Sequence, residues 1–316
     1  FRFAVKGFLK AIKPSQMLII ETELWPNTLK EVHYAGIPIT VVNARLSEKS
    51  CNNYAKVQPL FNVLHPCLTK VLCQTEADAD RFKRLGVLHD KLAVTGSIKF
   101  DIQISEEIKE KGKTLRGQLG SDRPIWIAAS THKGEDEQIL EAHKEVLNTY
   151  PDALLMIVPR HPERFDDVVH LCQSSGFTTT RRTNTDIESY KTSQVYVGDT
   201  MGEMLVLIGA ADICFMGGSL IGDKVGGHNV LEPAALGVPV VTGPSYFNFT
   251  DWVEGLRDAN GLIVVNDGDE LADTLTGYFA RPDVALSQGE NAQRYVQSNQ
   301  GALDKTLTAL VPVLVG

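Results

Sequence analysis

The sequence predicts an α/β protein of two Rossmann-like, parallel-sheet domains, and three observations predict it. Short apolar runs alternate along the chain with amphipathic stretches, the order that gives parallel strands covered by helices. The chain has 316 residues, a length that fits about two domains better than one. One charged stretch without a strand-like run, 102–124, separates four candidate strands from six.

The first domain, expected over 1–101, opens on a helix. Its candidate strands are Met17–Ile20, Ile37–Val42, Lys70–Cys73 and Leu92–Thr95. So few strands give it the look of a domain truncated at its amino end. Residues 102–124 read as a linker that closes in the turn Gly120-Ser121-Asp122-Arg123-Pro124. The second domain, 125–300, looks complete, with strands at Ile125–Ala129, Ala153–Val158, Val195–Val197, Ile213–Met216, Val238–Thr242 and Leu262–Val265. The last segment, 301–316, reads as an amphipathic helix with Leu303, Leu307, Leu310 and Leu314 on its apolar face.

Composition narrows the class. Hydrophobic residues at 43% and charged residues at 22% exclude disorder and low-complexity material. No apolar run approaches the ~18–20 residues that cross a bilayer, and Phe1–Lys13 lacks the pattern of a signal peptide. The five scattered cysteines show no CxxC spacing, which excludes a disulfide scaffold and a zinc ribbon and fits a reducing compartment. Charge is uneven. Residues 1–100 carry 14 Lys and Arg against 8 Asp and Glu, whereas 101–316 carry 17 against 31. A basic front on an acidic body suits an anionic surface, although drift in surface composition gives the same count. Nucleic acid fits poorly, because the basic residues do not alternate with aromatics.

Two such domains describe the GT-B architecture, among others, and open α/β sheets bind ligands beyond the carboxyl ends of their strands. The residues after each strand are therefore the ones to read. Glu21 and Glu23 follow the first strand, and alternation points them the same way. They are either ligand-facing acids or a salt-bridge partner and a first-turn helix acid. Lys99, two residues beyond Gly96-Ser97, is a mobile cation for a phosphate or carboxylate. Arg160 follows Pro159 at the end of another strand, where a guanidinium suits an anionic ligand or a base edge. His161 is either a general base or a structural, solvent-facing residue, and Glu163 and Arg164 read as helix surface.

Gly198-Asp199-Thr200-Met201-Gly202-Glu203 opens an apolar helix, with Asp199 or Thr200 as its cap and Glu203 near the capping-box position. Gly202 there suggests close approach of a ligand. The strongest local signal is Gly217-Gly218-Ser219-Leu220 followed by Gly226-Gly227-His228-Asn229-Val230-Leu231-Glu232-Pro233. A glycine-rich loop feeding a helix capped by Asn229 offers amides to an anion, and Glu232 can bond a vicinal diol. Neither GxGxxG nor GxxxxGK[ST] is present, which weighs against dinucleotide and P-loop readings. Asp78-Ala79-Asp80 reads as exposed helix and Asp267-Gly268-Asp269 as a helix-start turn, so no metal is expected.

These segments in this order resemble the bacterial 3-deoxy-D-manno-octulosonic acid (Kdo) transferases of lipopolysaccharide biosynthesis. The resemblance rests on ETELWPN, NARLS (Asn43–Ser47), GSIKFD, STHKGE (Ser130–Glu135), VPRHPERF, VGDTMGEM, GGSL, GGHNVLEP and GPSYFNF (Gly243–Phe249), and it runs over essentially the whole chain. It implies a GT-B fold and a metal-independent, inverting transfer from CMP-Kdo to a hydroxyl of a lipid A precursor. It also implies no cofactor and a peripheral place on the cytoplasmic face of the inner membrane, against an anionic surface. By resemblance 1–101 belongs to the acceptor-binding domain and 125–300 is the donor-binding domain. Pro159, Arg160, Met201, Gly202, Glu203, Asn229, Val230, Leu231 and Glu232 would hold CMP. Glu21 and Lys99 would stabilise the transition state. The family's upstream glutamate, taken as general base, is not in this chain, so by resemblance the chain binds donor better than it transfers. Other readings are a different GT-B nucleotide-sugar enzyme and a non-catalytic nucleotide-binding fragment.

Overall fold

The computed structural model describes residues 2–184 and 186–315, without the side chains of 311–315, so the side chain expected at the apolar position Leu314 lies outside what is described. Eleven strands form two sheets among the described residues. The first sheet has β1 (Met17–Ile20), β2 (Ile39–Ala44), β3 (Lys70–Cys73) and β4 (Leu92–Val94), in that order. The second has β5 (Ile125–Thr131), β6 (Leu154–Pro159), β7 (Thr179–Arg181), β8 (Val195–Val197), β9 (Ile213–Met216), β10 (Val240–Thr242) and β11 (Leu262–Val264). Its order is β11-β10-β9-β5-β6-β8-β7, and every pairing in both sheets is parallel. This is the expected α/β class.

Contacts divide the chain into two units, 1–101 with 299–316, and 102–298. In the second unit β5 and β6 are buried at every residue but Ser130, as strands covered on both faces must be. The order reverses between β5 and β9, and a topological switch point of this kind opens a crevice at the carboxyl ends of the strands.

Several expectations are corrected. The second sheet has a seventh strand, Thr179–Arg181, whose short polar sequence carries no apolar run. The stretch 102–124 is no linker. It contains the helix Glu106–Leu119, which starts on the Ser105 side chain and buries Gly112, Leu115 and Leu119 within the second unit. The final helix, Ala302–Val315, belongs to the first unit, where Leu310 packs with Val42 and Leu72. Its buried face is Ala302, Thr306 and Leu310, so Leu310 faces inward as expected, while Leu303 and Leu307 are 44% and 53% exposed and do not. Asp101 ties this helix down, accepting from the amides of Gly301 and Leu303 at 2.6 Å each.

A buried histidine gives the fold a pH dependence. Trp126 Nε1 donates to His143 Nδ1 at 3.1 Å, and His143 Nε2 reaches the Gln194 carbonyl at 2.9 Å, so the ring is neutral with its proton on Nε2. Burial pushes His143 down to about 4. The unfolded chain, with an ordinary histidine near 6.5, binds the proton first. Stability from this ring is therefore complete above about pH 6.5 and is lost as pH falls toward 4. Urea unfolding at pH 7 and pH 4.5 should show a loss that His143→Phe reduces by about 2–3 kcal/mol.

Candidate active site

Three strands end in residues with left-handed backbone, Glu21 (φ 61°) after β1, Asn43 (φ 53°) in β2 and Ser130 (φ 59°) in β5. Non-glycine residues seldom adopt this conformation, and it concentrates where a chain must aim side chains for function. The pairing registers of β2 and β5 shift at Asn43 and Ser130.

In the first unit the turn at Glu21 breaks the strand alternation, so Glu21 and Glu23 do not continue one strand face as expected. Glu21 Oε1 instead pairs with Lys99 Nζ at 2.8 Å, both side chains 48% exposed. Lys99 sits in a short turn, Ile98–Phe100, whose first amide donates to Asn43 Oδ1 at 3.1 Å. The left-handed Asn43 thus fixes the segment that carries Lys99, and the two residues singled out in the sequence meet.

In the second unit a cavity of about 390 Å³ opens beyond β5, β6, β8 and β9. Pro159, Arg160, Met201, Gly202, Asn229 and Glu232 line it, together with Ser130, His228 and Phe249. The Arg160 amide donates to the Thr131 carbonyl, while its guanidinium is exposed and has no hydrogen bond or ion pair among the described residues. Glu232 is half-buried, and burial raises its carboxyl against the opposing pull of Asn229 and Arg160. Asn229 Nδ2 donates to Glu232 Oε1 at 3.3 Å. An unpaired guanidinium beside a held carboxylate suits a ligand that carries both an anionic group and hydroxyls.

Other expected site residues take different places. Val230 and Leu231 are buried and do not line the cavity; they support the wall from behind. The helix Leu231–Leu236 spans only six residues, and Asn229 Oδ1 already accepts its Leu231 amide at 3.1 Å. The amides of Gly218, Ser219 and Leu220 are not free for an anion either: all three donate to the buried Glu135 carboxylate. Glu203 does not line the cavity. It pairs with Arg182 at 2.9 Å and accepts from Thr200 Oγ1 at 2.6 Å, and the Arg182 hydrogen bond lowers its carboxyl most. Asp199 holds Thr183 instead of capping a helix. Gly202 has φ 80° and open space where a side chain would begin, so its backbone turn, not a protein contact, calls for glycine.

Three residues escaped the sequence reading. Glu135 bonds four amides, those of Gly218, His132, Ser219 and Leu220, at 2.5, 2.8, 3.3 and 3.4 Å. Arg164, expected on a surface, bonds the Thr131 carbonyl and the buried Asp136 carboxylate. His132 meets His228 at 2.8 Å, and His161 lies edge-on to His132. Asp78, expected to be exposed, is buried and accepts from the Leu46 amide. Asp267 starts its helix as expected. Among the described residues no group of three or more His, Cys, Asp or Glu could hold a metal.

Comparison with known proteins decides the family. The family model for 3-deoxy-D-manno-octulosonic-acid transferase (kdotransferase) matches residues 1–102. The 3-deoxy-D-manno-octulosonic acid transferase of Haemophilus influenzae is 38% identical over 313 residues, 99% of this chain and 73% of that protein. The chain belongs to the Kdo transferase family. The Bordetella pertussis Kdo transferase is 33% identical over 98% of this chain and 72% of its own length. Among solved structures, the C-terminal CMP-Kdo binding domain of WaaA from Acinetobacter baumannii is 36% identical. It covers 61% of this chain and 100% of that domain, with a TM-score of 0.57. The UDP-GlcNAc 2-epimerase of Neisseria meningitidis covers 100% of this Kdo transferase family chain and 80% of its own at a TM-score of 0.58. At 13% identity it shows the shared fold alone.

Proposed function

We propose that this Kdo transferase family member moves Kdo from CMP-Kdo to a hydroxyl of a lipid A precursor, inverting the anomeric carbon. The observation that carries the reading is the unpaired Arg160 guanidinium beside Glu232, in a chain of which 61% aligns with a CMP-Kdo binding domain. Arg160 meets the donor phosphate, since a guanidinium offers several N–H groups to its oxygens. Glu232, held by Asn229, accepts from ribose hydroxyls. Pro159, Met201 and Gly202 shape the pocket around CMP, the buried Val230 and Leu231 support it from behind, and Glu203 braces the 199–203 loop through Arg182. The second unit is thereby the donor-binding domain.

In the first unit, Lys99 and Glu21 are the charged groups for a transition state that separates a positive sugar from a departing phosphate. The transfer proposed here uses no metal or other cofactor. The first unit takes the acceptor and lies against anionic lipid on the cytoplasmic face of the inner membrane. Its helix Arg2–Ile12 exposes Phe3, Phe8 and Ile12 beside Arg2, Lys6 and Lys10, the pattern of an interfacial helix. No described helix is long and apolar enough to cross a membrane.

The test is a transfer assay with CMP-Kdo and a lipid A precursor. CMP release should match formation of a product of inverted configuration and should persist in excess chelator. A product of retained configuration, or activity lost to chelator and restored by a divalent ion, would refute this mechanism.

A further inference from the structure

One histidine of the cavity wall, His228, is paired with a second, His132, in a contact that the chemistry above leaves unused. His132 follows β5, and His228 follows the glycine-rich segment after β9. Their Nε2 atoms are 2.8 Å apart, their ring planes differ by 10° and their centroids are 5.0 Å apart. Parallel rings with centroids this distant and nitrogens this close meet edge to edge. Two bare lone pairs would repel at that separation, so one nitrogen carries a proton and donates it to the other.

The surrounding backbone is built for this contact. The His132 amide and the Gly218 amide share the Glu135 carboxylate. A Cβ at Gly218 would lie 2.8 Å from His228 Cδ2 and 2.9 Å from its Nε2, so only glycine lets that ring edge seat. The remaining nitrogen, Nδ1, is on the opposite side of a ring that lines the cavity, and it has no partner among the described residues.

We propose that His132 donates its Nε2–H to His228 Nε2 and so fixes His228 in the tautomer whose Nδ1–H serves an oxygen of the bound nucleotide's anionic group. His228 is then the contacting residue and His132 a positioning residue. The inference rests on the reading of this cavity as a CMP site. The relay requires neutral rings, since a fully protonated pair would set two N–H groups against each other. The groups facing the pair keep it neutral: Arg160, Arg164 and the edge-on His161 oppose a further positive charge. Burial acts first, holding His132 below the usual range and His228 down to about 4. The nearby carboxylates do not offset this, because Glu135 is committed to four amides, Asp136 to Arg164, and Glu232 to Asn229.

The experiment is 15N NMR of the whole chain with labelled histidine at pH 7.5, with CMP as the probe. With CMP bound, the His228 signal, identified by its loss in His228→Gln, should show the Nδ1–H tautomer. His132→Leu should return His228 to Nε2–H and weaken CMP about tenfold, roughly one hydrogen bond's worth of affinity. His132→Gln, whose amide can donate to His228 Nε2, should restore both. Saturable CMP binding with His228 in the Nε2–H form, or unchanged affinity in His132→Leu, would overturn the relay and leave the CMP site standing. No CMP binding by the folded chain would overturn the site reading and the relay with it.

Discussion

Lys99→Ala should lower the rate of Kdo transfer by about 10²–10³-fold, the cost typical of removing one preorganised group from a transition state. The fold should not change, because a half-exposed ion pair adds little to stability. The expected signature is a fall in kcat with little change in KM, since the group is assigned to charge that develops only during the reaction. Lys99→Arg keeps the charge and should recover part of the rate. Glu21→Gln should produce a similar loss. The double variant should cost much less than the product of the single ones, because the two side chains are joined at 2.8 Å and act as a unit. Additive losses, or a change in KM alone, would move these residues out of the reaction and into substrate binding.

Glu135→Ala should destabilise the chain by about 3 kcal/mol or more, measured by urea unfolding. The carboxylate is fully buried and serves the amides of His132, Gly218, Ser219 and Leu220. Removing it leaves those donors facing a void, at about 1–3 kcal/mol for each buried group left unsatisfied. Burial raises the Glu135 carboxyl, with the four amide hydrogen bonds pulling the other way. The site should fail with the loop, since Glu135 connects the segment carrying His132 to the segment leading to His228. Glu135→Gln should do little better. Its carbonyl keeps one acceptor, but its NH₂ is turned toward backbone N–H groups. Stability unchanged in both variants would mean that the loop holds its shape by other contacts.

Most strands and their carboxyl-end residues are legible in the sequence because most are apolar runs followed by Gly, Pro, Ser, Thr or Asn, whereas the polar Thr179–Arg181 is not. That rule singles out Glu21, Lys99 and Arg160 as candidates, and the glycine-rich loop before Asn229 singles out Glu232. What it missed depends on distant partners. Glu135 stands at the start of a helix, where an acid is expected for the dipole, and its partner Gly218 is 83 residues away. Arg164 has the spacing of a surface position, yet Asp136 and the Thr131 carbonyl draw it inward. The helix Glu106–Leu119 reads as a linker in the sequence because only Gly112, Leu115 and Leu119 of its fourteen residues are buried, too narrow a stripe to outweigh its charges. The face of the last helix is obscured for the opposite reason: the exposed Leu303 and Leu307 suggest a core that Ala302, Thr306 and Leu310 form.

Under the proposed function, the cavity beyond β5, β6, β8 and β9 binds the cytidine nucleotide of the donor. A calorimetric titration of the chain with CMP and with UMP, repeated on Arg160→Ala and Glu232→Ala, tests it most directly. Saturable CMP binding that exceeds UMP binding, and that weakens at least about tenfold in each variant, is the expected result. A folded chain that binds no CMP, prefers UMP, or binds CMP equally well without Arg160 and Glu232 would contradict it.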